Sequence, residues 1–390
     1  MTRRRLLAAV PLLLAAALAG CAPAPQSTPD GPASPGADDP VAAAFEQTAA
    51  ALGVPGAFAL VRTPEGERGY AYGTTELGAA SPPTEDTRFR IASNTKVFTG
   101  TVILQLVDEG RIALDDPISA YRDGIPNGDA ITIEMLLAMR SGLADYTDTP
   151  EFAAAVDADP TRHWSPEELV ALATARPARS APGTEFHYAN VNTVLLGELI
   201  EQLEGEPLAR VFQERLLDPL GLDGTSYPDG ETGIPAPSSH GYLYGDPGAA
   251  VADEAPADAG DAGDEAAGAP HDVTTLDPSM AGASGAIVST ARDMADWIEA
   301  VVDGGLLSAE TQEARDAAFQ AIGPGSAYGL ALFENQGWIG HNGEIPGFNS
   351  FAFRNPGTST TVVVWSNLLA TPDGTPTAGA LFGALVDALG

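Results

Sequence analysis

Strand-like segments lie near both ends of this chain of 390 residues, and the stretch between them reads mostly as helix. Residues 56–62 and 68–74 flank the turn sequence Pro64-Glu65-Gly66. Far along the chain, residues 337–341, 349–353 and 360–365 carry the strand signal again, after a short candidate at 286–289. Helical patterns fall at 96–109, 131–140, 165–176, 191–204 and 208–217, with another at 291–302. Ser165-Pro166-Glu167-Glu168 supplies an N-cap, a first-turn proline and a Glu at the third position. Two Ala-rich helices, 41–52 and 378–389, stand at the outer ends. A sheet drawn from such distant segments requires the two ends of the chain to meet, with the helical middle carried as an insert. The expected fold is therefore α+β: an antiparallel sheet flanked by helices, built from both chain ends, with an inserted mostly helical domain. The α/β part takes residues 41–80 and 276–390, and the helical part takes 81–245.

The N-terminus reads as an export signal. Arg3, Arg4 and Arg5 precede an apolar run, residues 6–19, that is short for a bilayer-spanning helix. Leu18-Ala19-Gly20-Cys21 looks like a bacterial lipobox, and Cys21 is the only cysteine in the chain. No internal disulfide is available, so the fold rests on its core. Residues 1–20 are read as signal peptide and Cys21 as the lipidated first residue of the mature chain. Residues 21–40, rich in Pro, Ala, Ser, Gly and Asp, are read as a flexible tether. The expectation is an exported protein, lipid-anchored on the outer face of the cell membrane, with export through the general or the twin-arginine route left open. The formal net charge of -34 sets nucleic-acid binding aside. No Lys or Arg occurs between Arg215 and Arg292, and residues 246–275 centre on low-complexity Ala, Gly, Asp and Glu. That segment is read as a disordered acidic loop. Asp258, Asp261 and Asp264 recur every three residues, unlike the alternating ligands of an EF-hand, and no metal site is assigned.

Lys96 is the only lysine among 19 basic residues. A chain that uses Arg wherever positive charge suffices, and Lys once, points to a property Arg lacks: an amine that can lose its proton. Ser93-Asn94-Thr95-Lys96 follows a strand-like stretch, 88–91, and opens the helical pattern at 96–109. Three residues apart on a helix, the Lys amine can reach the Ser hydroxyl. The helix N-terminus favours a developing oxyanion. Apolar residues on most sides of this helix suggest burial, which disfavours an ammonium as a base requires. Ser93 is the candidate nucleophile and Lys96 its base.

Two further motifs carry polar chemistry. Tyr188-Ala189-Asn190 precedes the helix at 191–204; a Tyr hydroxyl can relay a proton, and an Asn amide offers a donor and an acceptor. His341-Asn342-Gly343 ends a strand-like run, where Gly343 is expected to let a substrate approach the strand edge. In this order the three motifs resemble those of the serine penicillin-recognising enzymes, in the branch of class C β-lactamases, D-alanyl-D-alanine carboxypeptidases and related esterases. Segments 136–146 (LLAMRSGLADY), 182–197 (PGTEFHYANVNTVLLG), 281–293 (AGASGAIVSTARD) and 340–348 (GHNGEIPGF) are similar as well.

The resemblance implies a β-lactamase/transpeptidase-like fold over residues 41–390 and an acyl-enzyme on Ser93, with no cofactor. Lys96 and Tyr188 would move the proton, and Asn190, His341, Asn342 and Gly343 would bind substrate. The backbone N–H groups of Ser93 and Glu344 would form the oxyanion hole. Peptide, β-lactam and ester substrates all fit, and a tethered monomer is expected. The third motif departs from the family, with Asn342 in place of the Thr or Ser that helps hold a substrate carboxylate. Two rivals stay open. Gly282-Ala283-Ser284-Gly285-Ala286, with Asp296 and His341, approximates an α/β-hydrolase order, although its strand candidate follows the Ser. A cell-wall-binding lipoprotein that acylates without turnover is the second.

Overall fold

The computed structural model describes residues 39–228, 230–251 and 268–390. The signal segment, Cys21, most of the tether and the acidic stretch 252–267 lie outside the described residues. The strands run in order as β1 (Gly56–Thr63), β2 (Gly66–Gly73), β3 (Phe89–Arg90), β4 (Tyr242–Leu243), β5 (His271–Asp272), β6 (Val288–Ser289), β7 (Gln320–Gly323), β8 (Ser326–Tyr328), β9 (Phe333–Asn335), β10 (Trp338–Ile345), β11 (Phe348–Asn355) and β12 (Thr360–Ser366). The helices are α1 (Pro40–Leu52), α2 (Thr95–Asp108), α3 (Ile133–Leu137), α4 (Pro150–Ala158), α5 (Pro166–Thr174), α6 (Asn190–Glu204), α7 (Leu208–Phe212), α8 (Asp218–Leu220), α9 (Pro247–Ala250), α10 (Ala291–Asp303), α11 (Ala309–Ala317) and α12 (Thr377–Leu389).

An eight-stranded sheet takes the order β2-β1-β12-β11-β10-β9-β8-β7. Its pairings are antiparallel, and β1 and β12 join the two ends of the chain through pairs such as Ala59↔Val364. Successive side chains of a strand point to opposite faces. On one face Ala57, Ala59, Val61, Val362 and Val364 pack with Phe45 of α1 and Leu381 and Leu385 of α12. On the other, Phe58, Leu60, Val363 and Trp365 enter the main core with α2, α6 and α10. Both faces are covered, so the centres of these strands are runs of apolar residues, Ala57–Val61 and Val362–Trp365. Burying a side chain such as Phe58 or Leu60 contributes about 1.5–3 kcal/mol.

The outer helix α1 begins at Asp39, whose side chain accepts from Val41 N and Ala42 N, and ends at Gly53 with φ 65. Asp39 and Pro40 thus belong to the folded body and not to the tether. Among the other sequence readings, the helix expected at 131–140 is held to Ile133–Leu137, because Met139 adopts φ 56. The helix at 208–217 changes to π geometry at Gln213. The strand expected to stop at His341 continues to Ile345, so the third motif lies inside β10.

The flanks of the acidic segment are folded, which corrects the reading of 246–275 as uniformly disordered. Pro247–Ala250 form α9, and Gly248 N donates to Asp157 Oδ1 at 2.6 Å. β5 pairs with β4, and His240 Nδ1 lies 2.6 Å from Asp272 Oδ2. From β3, the buried Arg90 guanidinium donates to the carbonyls of Thr232 (2.6 Å) and Leu276 (3.0 Å), holding both sides of the segment together. Deleting residues 246–272 is therefore expected to lower unfolding stability by roughly 3 kcal/mol, since several hydrogen bonds at about 1 kcal/mol each go with it. Denaturant titration measures this, and an unchanged midpoint would show the whole segment to be dispensable.

Candidate active site

Between β3 and α2 the chain makes a single 3₁₀ turn, Ala92–Asn94, which presents Ser93 at the start of a helix buried on nearly every side. Ala92 has φ 50, a left-handed conformation that costs a non-glycine residue about 1–3 kcal/mol and persists only where its surroundings enforce it. Those surroundings are visible. Ile91 N donates to Ile287 O at 3.0 Å, and Ile91 O accepts from Ser350 Oγ at 3.1 Å and Asn94 Nδ2 at 3.3 Å.

Lys96 is fully buried. Its Nζ lies 2.9 Å from Ser93 Oγ, 2.7 Å from Asn190 Oδ1 and 3.0 Å from Ser284 O. Asn190 Oδ1 is fixed as an acceptor because its Nδ2 donates to Asp145 Oδ2 at 2.7 Å. Two Lys96 hydrogens are thus claimed by oxygens that only accept. The direction facing Ser93 holds a lone pair when the amine is neutral and a hydrogen when it is charged. This geometry receives a proton from Ser93 without rearrangement.

Asp145 was not singled out by sequence reasoning. It is buried and accepts from Tyr146 N, Thr147 Oγ1, Asn190 N, Asn190 Nδ2 and Val191 N, at 2.7–3.0 Å. Asn190 and Val191 open α6, whose N-cap, Ala189, has no capping side chain. Asp145 caps that helix from 45 residues upstream and thereby aims Asn190 at Lys96. The available signal was the single acid of the segment 136–146, following Leu143-Ala144.

Tyr188 lines the same cavity as Ser93, with its ring centroid 4.8 Å from Lys96 Nζ. Its ring packs against Phe333 and His341, with centroids 6.3 and 6.1 Å apart. Asn190, Asn342 and Glu344 also line this cavity, whose volume is about 500 Å³.

His341 does not line it. The residue is fully buried, and its Nδ1 lies 2.6 Å from Asn342 O, an acceptor, so Nδ1 carries the hydrogen. Nε2 then accepts from Tyr328 Oη at 3.4 Å. Burial pushes His341 down to about 3. The expected substrate contact is corrected to a neutral wall behind Tyr188. Because the folded state resists protonation and the unfolded state does not, this His contributes stability above about pH 6.5 that is lost as pH falls toward 3. The wild type should lose up to ~1.4 kcal/mol per pH unit more than His341→Gln below that point. Parallel pH profiles of melting for the two proteins would refute the assignment.

Gly343 is corrected too. Its position faces the Ser93 turn and not the cavity: a methyl group there would run into the Ile91 carbonyl oxygen and sit 2.6 Å from Ser350 Oγ. The side chains of β10 alternate, with His341 and Gly343 facing the core and Asn342 and Glu344 the cavity. β9 pairs with β10 only over Trp338–Gly340, so the strand edge beside Ser93 has no β-strand partner among the described residues. Ser284, the rival nucleophile, sits in a 3₁₀ turn and donates to Ala281 O at 2.6 Å, while Asp296 pairs with Arg62 at 2.6 Å.

The family model described as Beta-lactamase matches residues 41–385, and the chain belongs to that family. With this fold it is a serine hydrolase. It is 31% identical to a D-stereospecific amidohydrolase from Streptomyces sp., with a TM-score of 0.74 over 88% of this chain and 97% of that one. The D-amino acid amidase of Ochrobactrum anthropi SV3, complexed with L-phenylalanine amide, is 27% identical with a TM-score of 0.76, over 90% and 98% of the two chains. The D-alanyl-D-alanine-carboxypeptidase/endopeptidase AmpH of Escherichia coli (strain K12) is 32% identical over 162 residues; the match spans 40% of this chain and 41% of AmpH.

Proposed function

We propose that Ser93 attacks the carbonyl carbon of a peptide, amide or ester and that the chain turns over through an acyl-enzyme. The observation that carries this reading is the buried Lys96 amine 2.9 Å from Ser93 Oγ. Neutral Lys96 takes the Ser93 proton, and Tyr188 gives its own proton to the leaving amine or alcohol as the bond to carbon breaks and is reprotonated by Lys96, which is neutral again. The oxyanion rests between the backbone N–H groups of Ser93 and Glu344, where each donor is worth ~3 kcal/mol. Water then attacks the acyl-enzyme, releases the acid and returns a proton to Ser93. A fluorophosphonate probe should label Ser93 and fail on Ser93→Ala. Wild type should show steady turnover of at least one of peptidyl-D-Ala-D-Ala, nitrocefin and short p-nitrophenyl esters. Labelling that survives in Ser93→Ala overturns the nucleophile, and a burst without turnover converts the reading to a penicillin-binding lipoprotein.

The same proposal places the enzyme outside the cell as a tethered monomer, anchored through lipid on Cys21. The support is the Leu18-Ala19-Gly20-Cys21 sequence after a basic and apolar leader. Cys21→Ala is expected to leave the membrane fraction or to remain unprocessed. Partitioning like wild type would refute the anchor.

A further inference from the structure

We infer that the substrate carries a free amino group, held by the Glu344 carboxylate, and no carboxylate beside the scissile bond. This deepens the acyl-enzyme reading above and rests on it. Glu344 is the one acidic side chain on the wall of the Ser93 cavity among the described residues; no Lys or Arg lines it, and His187 is the one imidazole there. Glu344 makes no salt bridge among the described residues, although the chain pairs many of its other acids with arginine. Its only hydrogen-bond donor from a side chain there is Asn342 Nδ2, at 3.3 Å from Oε1. The carboxylate is exposed to the cavity, and partial loss of water around it raises its pKa. An unpaired, partly desolvated anion gains most from a cation that enters with the substrate.

A substrate carboxylate meets the opposite conditions. Asn342 lines the same wall, and its amide is turned toward Glu344 and not toward an incoming anion. His341, the one member of the motif with a side chain able to charge, is buried and neutral. A carboxylate at this edge would face Glu344 with no Lys or Arg on the cavity wall to answer it, inside a protein of net charge -34 that repels anions over a longer range. The apolar part of the substrate has Met280, Phe333, Ile345 and Pro346 to pack against. An amide or ester of an amino acid or short peptide with a free amine fits both walls.

Binding to Ser93→Ala tests this apart from catalysis. The probes are phenylalanine amide and its N-acetyl and N-succinyl derivatives, which present a cation, a neutral group and an anion on one scaffold. Calorimetry is expected to rank them in that order, with the free amine at least tenfold tighter than the N-acetyl form. Adding Glu344→Gln should remove most of that ratio. Equal affinities, no measurable binding, tighter binding of the N-succinyl form, or a ratio that survives Glu344→Gln would each overturn the inference. Turnover by the Ser93 enzyme reports separately on the acyl-enzyme reading.

Discussion

Lys96→Arg is expected to be nearly as inactive as Lys96→Ala, with acylation of Ser93 slowed by ~10²–10⁴. Charge is conserved in the arginine variant, so any role as an electrostatic anchor would survive it. A guanidinium does not deprotonate at working pH, so a role as base would not survive. The site adds a second reason. Lys96 Nζ is held among Ser93 Oγ, Asn190 Oδ1 and Ser284 O within 3.0 Å, a fit for a compact amine and not for a planar fork. Chemical rescue separates the two effects. In Lys96→Ala, small primary amines should restore labelling of Ser93, and more so as pH rises and the free base accumulates. A folded Lys96→Arg enzyme with near-normal acylation refutes the base assignment.

Gly343→Ala is expected to cost at least 3 kcal/mol of stability and most of the activity, although the substitution adds one methyl group. Overpacking typically costs 1–3 kcal/mol where side chains can shift. Here the obstacle is the Ile91 backbone carbonyl, and the same residue anchors the Ser93 turn. The methyl therefore pushes β10 and the nucleophile apart, and any oxyanion position between Ser93 and Glu344 widens with them. Melting temperature and the rate of fluorophosphonate labelling should fall together. A variant with wild-type stability would mean that the Ile91 carbonyl can move, which the positive φ at Ala92 argues against.

What was legible in the sequence follows from whether a signal is local. The helix carrying Ser93 and Lys96 could be read because apolar residues surround it and its lysine has no counterpart in the chain. The paired ends of the sheet could be read because the centres of β1 and β12 are buried on both faces and carry apolar runs, Ala57–Val61 and Val362–Trp365. The strands β7, β8 and β9 escaped because each is three or four residues long and partly exposed. Asp145 escaped because its partners at the start of α6 are near it only in space. The roles of His341 and Gly343 were misassigned for one geometric reason. The motif lies inside a strand, and a period of two sends His341 and Gly343 to one side and Asn342 and Glu344 to the other.

The pairing of β1 with β12 also sets a timetable for synthesis. Gly56 N donates to Asn367 Oδ1 across 311 positions of sequence. At ribosomal rates of about 5–20 residues per second, roughly 15–60 s separate the emergence of those two partners. Throughout that interval the first hairpin exists without the strand that completes it, exposing an apolar edge able to template misassembly. Translocating the nascent chain before that strand emerges, or shielding the hairpin with a chaperone, resolves the hazard, and either places the slow step of maturation after the last strand has left the ribosome.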